Sequence, residues 1–195
     1  MYDYIRGRIT ELTPATAVVE AGGVGYSLII SLQTYTRLSG AEEAQVFVHF
    51  AVREDAQLFY GFATREERDI FRLLIGVSGV GGNTARMILS TFTASEVASV
   101  ITTGQADVLK TVKGLGLKTA QKIIVELRDK IGVGTAGGTA LPLQAPGGEN
   151  FSEALSALTM LGFTRAASEK ALKTLVRENP ALPVEELIRL ALKKM

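Results

Sequence analysis

The sequence predicts a multi-domain chain, β first and α afterwards, and three observations carry that prediction. Alternating β-rich runs end at Phe62, helical periodicity starts at Thr64, and a Gly/Thr/Ala/Pro-rich stretch isolates a last short helical segment. The chain has 195 residues, 47% of them apolar, enough for several small cores. No apolar run approaches the ~18 residues that a membrane span needs, so no membrane association is expected. The N-terminus, Met1-Tyr2-Asp3-Tyr4-Ile5-Arg6, lacks the apolar stretch of a secretory signal. Cysteine is absent, which excludes thiol catalysis and cysteine-ligated metals and fits a cytoplasmic location.

In residues 1–63, the segments Tyr2–Leu12, Thr16–Glu20, Val24–Ser31, Gln45–Val52 and Gln57–Phe62 read as strands. Pro14, Gly22-Gly23 and Glu54-Asp55 supply the turns between them. Five short strands with tight connections suit a small closed barrel of the OB type, and a sandwich would read much the same way. From 64 to 132 the chain reads as short helices. Thr64-Arg-Glu-Glu67 and Thr93-Ala-Ser-Glu96 both have capping-box spacing, in which the threonine and glutamate satisfy each other's orphan amides. Residues 133–150 have too little side-chain volume to pack and read as a flexible linker. In 151–195, the segments Ser152–Leu161, Thr164–Arg177 and Pro183–Lys194 read as a compact three-helix domain.

Charge divides along these segments. Residues 1–62 hold four Lys/Arg against seven Asp/Glu, whereas residues 63–132 hold ten against seven. A polyanion would therefore be held by the middle of the chain.

An internal repeat lies in that middle segment. Leu74, Val77, Gly79, Gly81, Thr84, Ala85 and Ile88 recur, offset by 35 residues, as Leu109, Val112, Gly114, Gly116, Thr119, Ala120 and Ile123. Each copy reads as helix, Gly-hydrophobe-Gly turn, helix. The glycines allow positive φ and a close backbone approach. The amides that follow begin a helix, lack intrahelical acceptors and attract phosphate through hydrogen bonds and dipole. Val80 and Leu115 are expected to face inward and pin each turn. Gly79, Gly81, Gly82, Asn83, Thr84 and Arg86 form the first candidate site. Gly114, Gly116, Lys118, Thr119 and Lys122 form the second, with the lysines adding positive charge to its exposed side.

This pattern resembles the helix-hairpin-helix motif of non-sequence-specific DNA-binding proteins, which grip phosphates and leave base edges unread. The bland alternative is that Gly-x-Gly only permits tight helix packing, and a matched second copy counts against it. A Walker-type loop fails because Gly82 and Asn83 stand where Lys and Ser/Thr are required. The dinucleotide pattern Gly-x-Gly-x-x-Gly fails at Thr84 and Thr119. No cofactor is expected.

Over essentially its whole length the chain resembles the RuvA family of Holliday-junction-binding subunits. The likeness rests on Val19-Glu-Ala-Gly-Gly-Val-Gly-Tyr26, on Val52-Arg-Glu-Asp-Ala-Gln-Leu-Phe-Tyr-Gly-Phe62, and on Lys118-Thr119-Ala120 followed by Ile124-Val125-Glu126-Leu127. The resemblance implies a non-catalytic subunit that binds four-way junction DNA as a homotetramer, or as an octamer of two tetramers on DNA. A RuvB-type hexameric ATPase would dock on residues 151–195, and a RuvC-type resolvase would be a further partner. It also places an acidic pin at Glu54 and Asp55, where carboxylates repel phosphates at the strand crossover. Read from the residues alone, that pair fits a solvated hairpin tip.

Leu161-Gly162-Phe163 resembles the loop of ubiquitin-associated (UBA-like) three-helix domains and is the candidate partner-binding element. Leu158, Leu161, Phe163, Leu187 and Leu190 fit a core as readily as a docking face, core being the commoner outcome in so small a domain. One departure stands out: the family's first hairpin carries a proline and a lysine where this chain has Gly82 and Asn83. A weaker grip from that hairpin is expected, with Arg86 as the candidate compensating charge.

Three other readings compete. An enzyme of the glycosylase or nuclease type would need a base or nucleophile beside the hairpin. Glu126 and Asp129 are the acidic residues that follow it, but helix-surface charges are usually solvated. The repeats could alternatively organise a protein scaffold or a general duplex binder. His49, the only histidine, is expected to pack on the barrel.

Overall fold

The computed structural model describes residues 2–134, 148–179 and 182–194. The predicted linker at 133–150 lies outside these from 135 to 147. The described residues pack as two compact units, divided at residue 138, and each is described by itself.

The first unit opens with five strands, β1 (Tyr4–Leu12), β2 (Thr16–Ala21), β3 (Val24–Ile30), β4 (Glu43–Val52) and β5 (Gln57–Phe62). They close in the order β1-β2-β3-β5-β4, with β4 returning to β1 and only the β3–β5 pair parallel. Closure removes the exposed edges that so small a sheet would otherwise carry. An irregularity in β1 between Ile9 and Glu11 supplies local bend. Alternation places Val19, Leu28, Ile30, Val46 and Val48 inside with Ile5 and Ala17. The barrel expected from the strand spacing is therefore the observed one.

One element was not expected. Between β3 and β4 the chain forms α1 (Leu32–Leu38), started by Ser31, whose hydroxyl accepts from the Thr34 amide at 3.0 Å. Seven residues are too few for a helix to stand on propensity alone. This one is held from outside: Ser90 Oγ accepts from the Leu32 amide at 3.1 Å, and Leu38 enters the barrel core.

The helical part follows as α2 (Arg65–Ile75), α3 (Gly82–Thr91), α4 (Ala94–Thr102), α5 (Ala106–Leu109) and α6 (Leu117–Gly134). Their shared core includes Leu74, Ile88, Leu89, Ile101, Leu109, Ile123 and Leu127, and it also takes in Tyr60 and Phe62 from β5. Phe71 of α2 sits at the seam, its ring 4.8 Å from Tyr60 and 4.9 Å from Phe62. Barrel and helices thus share apolar contacts, so β5 leads into α2 without a spacer.

The two capping patterns behave differently. At α4 the box closes: Glu96 N–H donates to Thr93 Oγ1 at 3.3 Å, and Glu96 Oε2 accepts from the Thr93 amide at 2.8 Å. At α2 only half forms. Thr64 Oγ1 accepts from the Glu67 amide at 3.2 Å, but the Glu67 carboxylate does not return to Thr64. Buried instead, it accepts from Ser31 Oγ, from Thr34 Oγ1 at 2.7 Å and from the Ala63 amide at 3.3 Å. The reciprocal box expected at Thr64 is corrected on this point, because α1 offers the carboxylate two buried hydroxyls.

Arg68, also buried, reaches back to the start of the chain and donates to the Asp3 carbonyl at 2.9 Å and to its carboxylate. That hydrogen bond holds the Asp3 carboxyl below its usual range. His49 packs against Phe71 with ring centroids 5.5 Å apart. Burial first, and then the Arg72 and Arg68 charges, push its pKa below the ordinary 6.5. The unfolded chain therefore binds the His49 proton more readily than the folded one. Its contribution to stability is present above pH 6.5 and is lost as pH falls from there toward the folded value. Melting of wild type is expected to weaken from pH 7.5 to about 5.5 more than melting of His49→Gln; parallel profiles would remove His49 as the cause.

The second unit holds α7 (Gly148–Met160), α8 (Arg165–Glu178) and α9 (Val184–Lys194) around Ala154, Leu158, Leu172, Leu175, Leu187 and Ala191. Among the described residues no helix is long and apolar enough to cross a membrane.

Candidate nucleic-acid interface

The sequence repeat is a structural repeat, bond for bond. In the first copy the Val77 amide donates to Leu74 O at 3.1 Å, Val80 to Val77 O at 2.9 Å, and Ala85 to Gly81 O at 3.0 Å. Thirty-five residues on, Val112 donates to Leu109 O at 3.1 Å, Leu115 to Val112 O at 3.0 Å, and Ala120 to Gly116 O at 2.9 Å. Gly79 and Gly114 both take left-handed φ, +93° and +86°, which a side chain would strain. Val80 and Leu115 are buried and pin the turns, as expected. The copies differ in their leading helix: α2 has 11 residues, whereas α5 is a single turn of 4.

Gly81 and Gly116 are glycines for another reason. Neither has a left-handed φ, and a Cβ added to either meets no atom within 4 Å. Among the described residues nothing demands a glycine there. The space left open faces outward, at the starts of α3 and α6. Gly81 caps α3 without a side-chain bond, so the first amides of that helix keep their donors free for an outside acceptor.

The remaining predicted residues divide unequally. Asn83 is exposed and Thr84 half-buried at the start of α3. Gly82 is buried, because a Cβ there would lie 2.4 Å from the Tyr60 hydroxyl. Arg86, proposed from sequence as a compensating charge, is half-buried and turns toward the barrel, where Nη1 lies 3.5 Å from Ile30 O. At the second hairpin Lys118 and Lys122 are exposed and Thr119 half-buried. Lys122 also stands 3.9 Å from Glu126 along α6. Lys110 and Lys113 are also exposed, just before Gly114 and beside the second turn. The first hairpin thus presents backbone donors and neutral groups, and the second presents backbone donors with a cluster of cations.

Glu54 and Asp55 form the tip of the β4–β5 hairpin, closed by the Arg53 amide donating to Ala56 O at 2.8 Å. Both are exposed, and among the described residues neither has an ion-pair partner. In the second unit, Gly162 and Phe163 terminate α7, their amides donating to Thr159 O at 3.1 Å and Leu158 O at 3.2 Å. That turn holds Met160, Leu161 and Phe163 at the surface, with Met160 90% and Leu161 60% exposed. Leu158 and Leu187 went to the core, and Leu190 is half-buried.

A closed five-stranded barrel joined to twin glycine-turn hairpins defines an OB-type barrel carrying a tandem helix-hairpin-helix domain. The chain belongs to the RuvA family. Residues 1–61 match the RuvA N terminal domain model, residues 71–129 the SAM-like Helix-hairpin-helix tandem, and residues 149–195 the RuvA, C-terminal domain. Among relatives named Holliday junction branch migration complex subunit RuvA, the protein of Bacteroides thetaiotaomicron is 51% identical, with all of both chains covered. Those of Porphyromonas gingivalis and Christiangramia forsetii are 46% and 40% identical, again over the full length of both.

Proposed function

We propose that this chain is the junction-binding subunit of a branch-migration complex. It holds four-way (Holliday) DNA junctions open and planar without reading sequence, and it acts in the cytoplasm as a non-catalytic partner of a RuvB-type ATPase. The observation that carries this reading is the twinned hairpin, two outward-facing sets of orphan amides behind glycines that leave room for a backbone. Such sites bind phosphates and are indifferent to bases. The naming of full-length relatives as branch-migration subunits supports the junction as the DNA form.

The acidic tip supplies selectivity. Carboxylates at Glu54 and Asp55 repel backbones that cross them, which favours a junction whose arms pass around a central point over a continuous duplex. The reading includes a homotetramer with the four tips at its centre. Met160, Leu161 and Phe163 offer an apolar surface on which the ATPase docks.

The test is a gel-shift titration of a synthetic four-way junction against linear duplex of the same sequence at moderate salt. Wild type is expected to prefer the junction strongly. Glu54→Gln with Asp55→Asn is expected to raise duplex affinity about tenfold, because two like-charge repulsions are relieved, and so to narrow that preference. Equal binding of junction and duplex by wild type would remove the junction assignment. Binding to neither would reduce the hairpins to packing turns.

A further inference from the structure

The first hairpin poses a problem that the second does not. Both have the same backbone, yet among the described residues no cation stands at the start of α3: Gly82 and Asn83 are neutral, and Arg86 lies against Ile30 of the barrel. A phosphate seated there would meet backbone amides and neutral side chains, whereas Lys118 stands at the equivalent turn of the second copy.

A side chain from a different part of the chain fills this gap. Tyr60, on β5, is only 3% exposed, and its ring is held against Phe71 at an interplanar angle of 36°. Its hydroxyl points at the first residue of α3, where a Cβ on Gly82 would lie 2.4 Å from Oη. Among the described residues that hydroxyl has no hydrogen-bond partner. The side chain is buried, but its oxygen is not among the fully buried polar atoms that lack a partner, so it opens to solvent beside the start of α3, whose first amides have no side-chain cap. The acceptor that suits both this hydroxyl and the uncapped helix start beside it is an anionic oxygen.

We propose that the Tyr60 hydroxyl is a direct ligand of the DNA phosphate bound by the first hairpin, standing in for the missing cation. This inference rests on the junction-binding reading above. Gly82 belongs to the same device, since any side chain at that position would drive the phenol away from the helix start. The two hairpins then differ in kind. The first seats phosphate through neutral donors, and the second through neutral donors and lysines.

The distinction is measurable, because a neutral donor releases no counterion when it binds whereas a lysine does. Tyr60→Phe removes one oxygen and keeps the ring. Junction affinity is expected to fall about tenfold, the size of one hydrogen bond to a charged group. The slope of log affinity against log salt and the melting temperature should stay at their wild-type values. Lys118→Ala, run beside it, should lower that slope by about one. Tyr60→Phe affinity within twofold of wild type would overturn the proposal. So would a fall in salt slope, or a loss of affinity matched by a loss of melting temperature. Wild type that fails to bind the junction would instead overturn the underlying reading, and this inference with it.

Discussion

Gly81→Leu combined with Gly116→Leu is expected to abolish junction binding while leaving the fold intact. The reasoning depends on what glycine is doing at these positions. At Gly79 and Gly114 the backbone itself needs glycine, since φ is left-handed at both, so a substitution there would confuse strain with function. Gly81 and Gly116 are free of that constraint, and the place of a Cβ is open. Leucine therefore costs the free protein little, about 1 kcal/mol or less at a helix-capping position. It does occupy the space through which a phosphodiester backbone would reach the amides of α3 and α6. Losing two backbone-donor sets per subunit, each worth several kcal/mol in charge-assisted bonds, predicts a loss of at least about 100-fold in affinity. Gel-shift titration with parallel thermal melts checks it. Retained binding would mean that the open space is not where DNA sits, and a large drop in melting temperature would mean that the glycines serve packing after all.

The hairpins were legible in the sequence because their constraint is local. A turn that needs glycine for φ and a buried residue to pin it leaves the same signature wherever it occurs, and a second copy 35 residues away makes the signature hard to mistake. The barrel was legible for a similar reason, since strand alternation and turn residues are written within a few positions of each other. What stayed hidden depended on distant neighbours. The first capping pattern, Thr64 to Glu67, reads like the second, Thr93 to Glu96, yet only the second closes. The difference is α1, some thirty residues earlier, whose hydroxyls draw the Glu67 side chain away. Leu158 and Leu161 show the same limit: three residues apart in one apolar pattern, one is sealed in the core and the other stands 60% exposed. Tyr60 gave no sequence signal at all as a partner of Gly82, because strand β5 and helix α3 meet only in the folded chain.

Glu67→Ala is expected to damage the first unit strongly, although Glu67 touches neither hairpin. Its carboxylate is 5% exposed and has no ion-pair partner among the described residues. What makes it tolerable is its set of donors: Ser31 Oγ, Thr34 Oγ1 and the Ala63 amide, together with its place at the third residue of α2, where the helix dipole favours negative charge. Removing it leaves two hydroxyls and an amide competing for fewer acceptors in a buried site. Each such group costs ~1–3 kcal/mol when unsatisfied, and the Ala63 amide retains Thr34 Oγ1 at 3.0 Å as a fallback. A net loss of about 3 kcal/mol follows, on the order of 10 °C in melting temperature for a unit of this size. Ser31→Ala and Thr34→Val, which each delete one donor and keep the carboxylate, should cost about 1 kcal/mol apiece. Calorimetry should place the whole effect in the transition of the first unit and leave the three-helix unit unchanged, and a shift below about 2 °C would show that the network is dispensable. The functional consequence follows from position. α1 leaves the barrel strand β3, and α2 begins the first hairpin, so this carboxylate ties the part of the chain that carries the acidic tip to the part that grips phosphate. Loosening it is expected to weaken the preference for junction over duplex before it weakens DNA binding as such, since each hairpin keeps its own backbone donors while the tip loses its fixed relation to them.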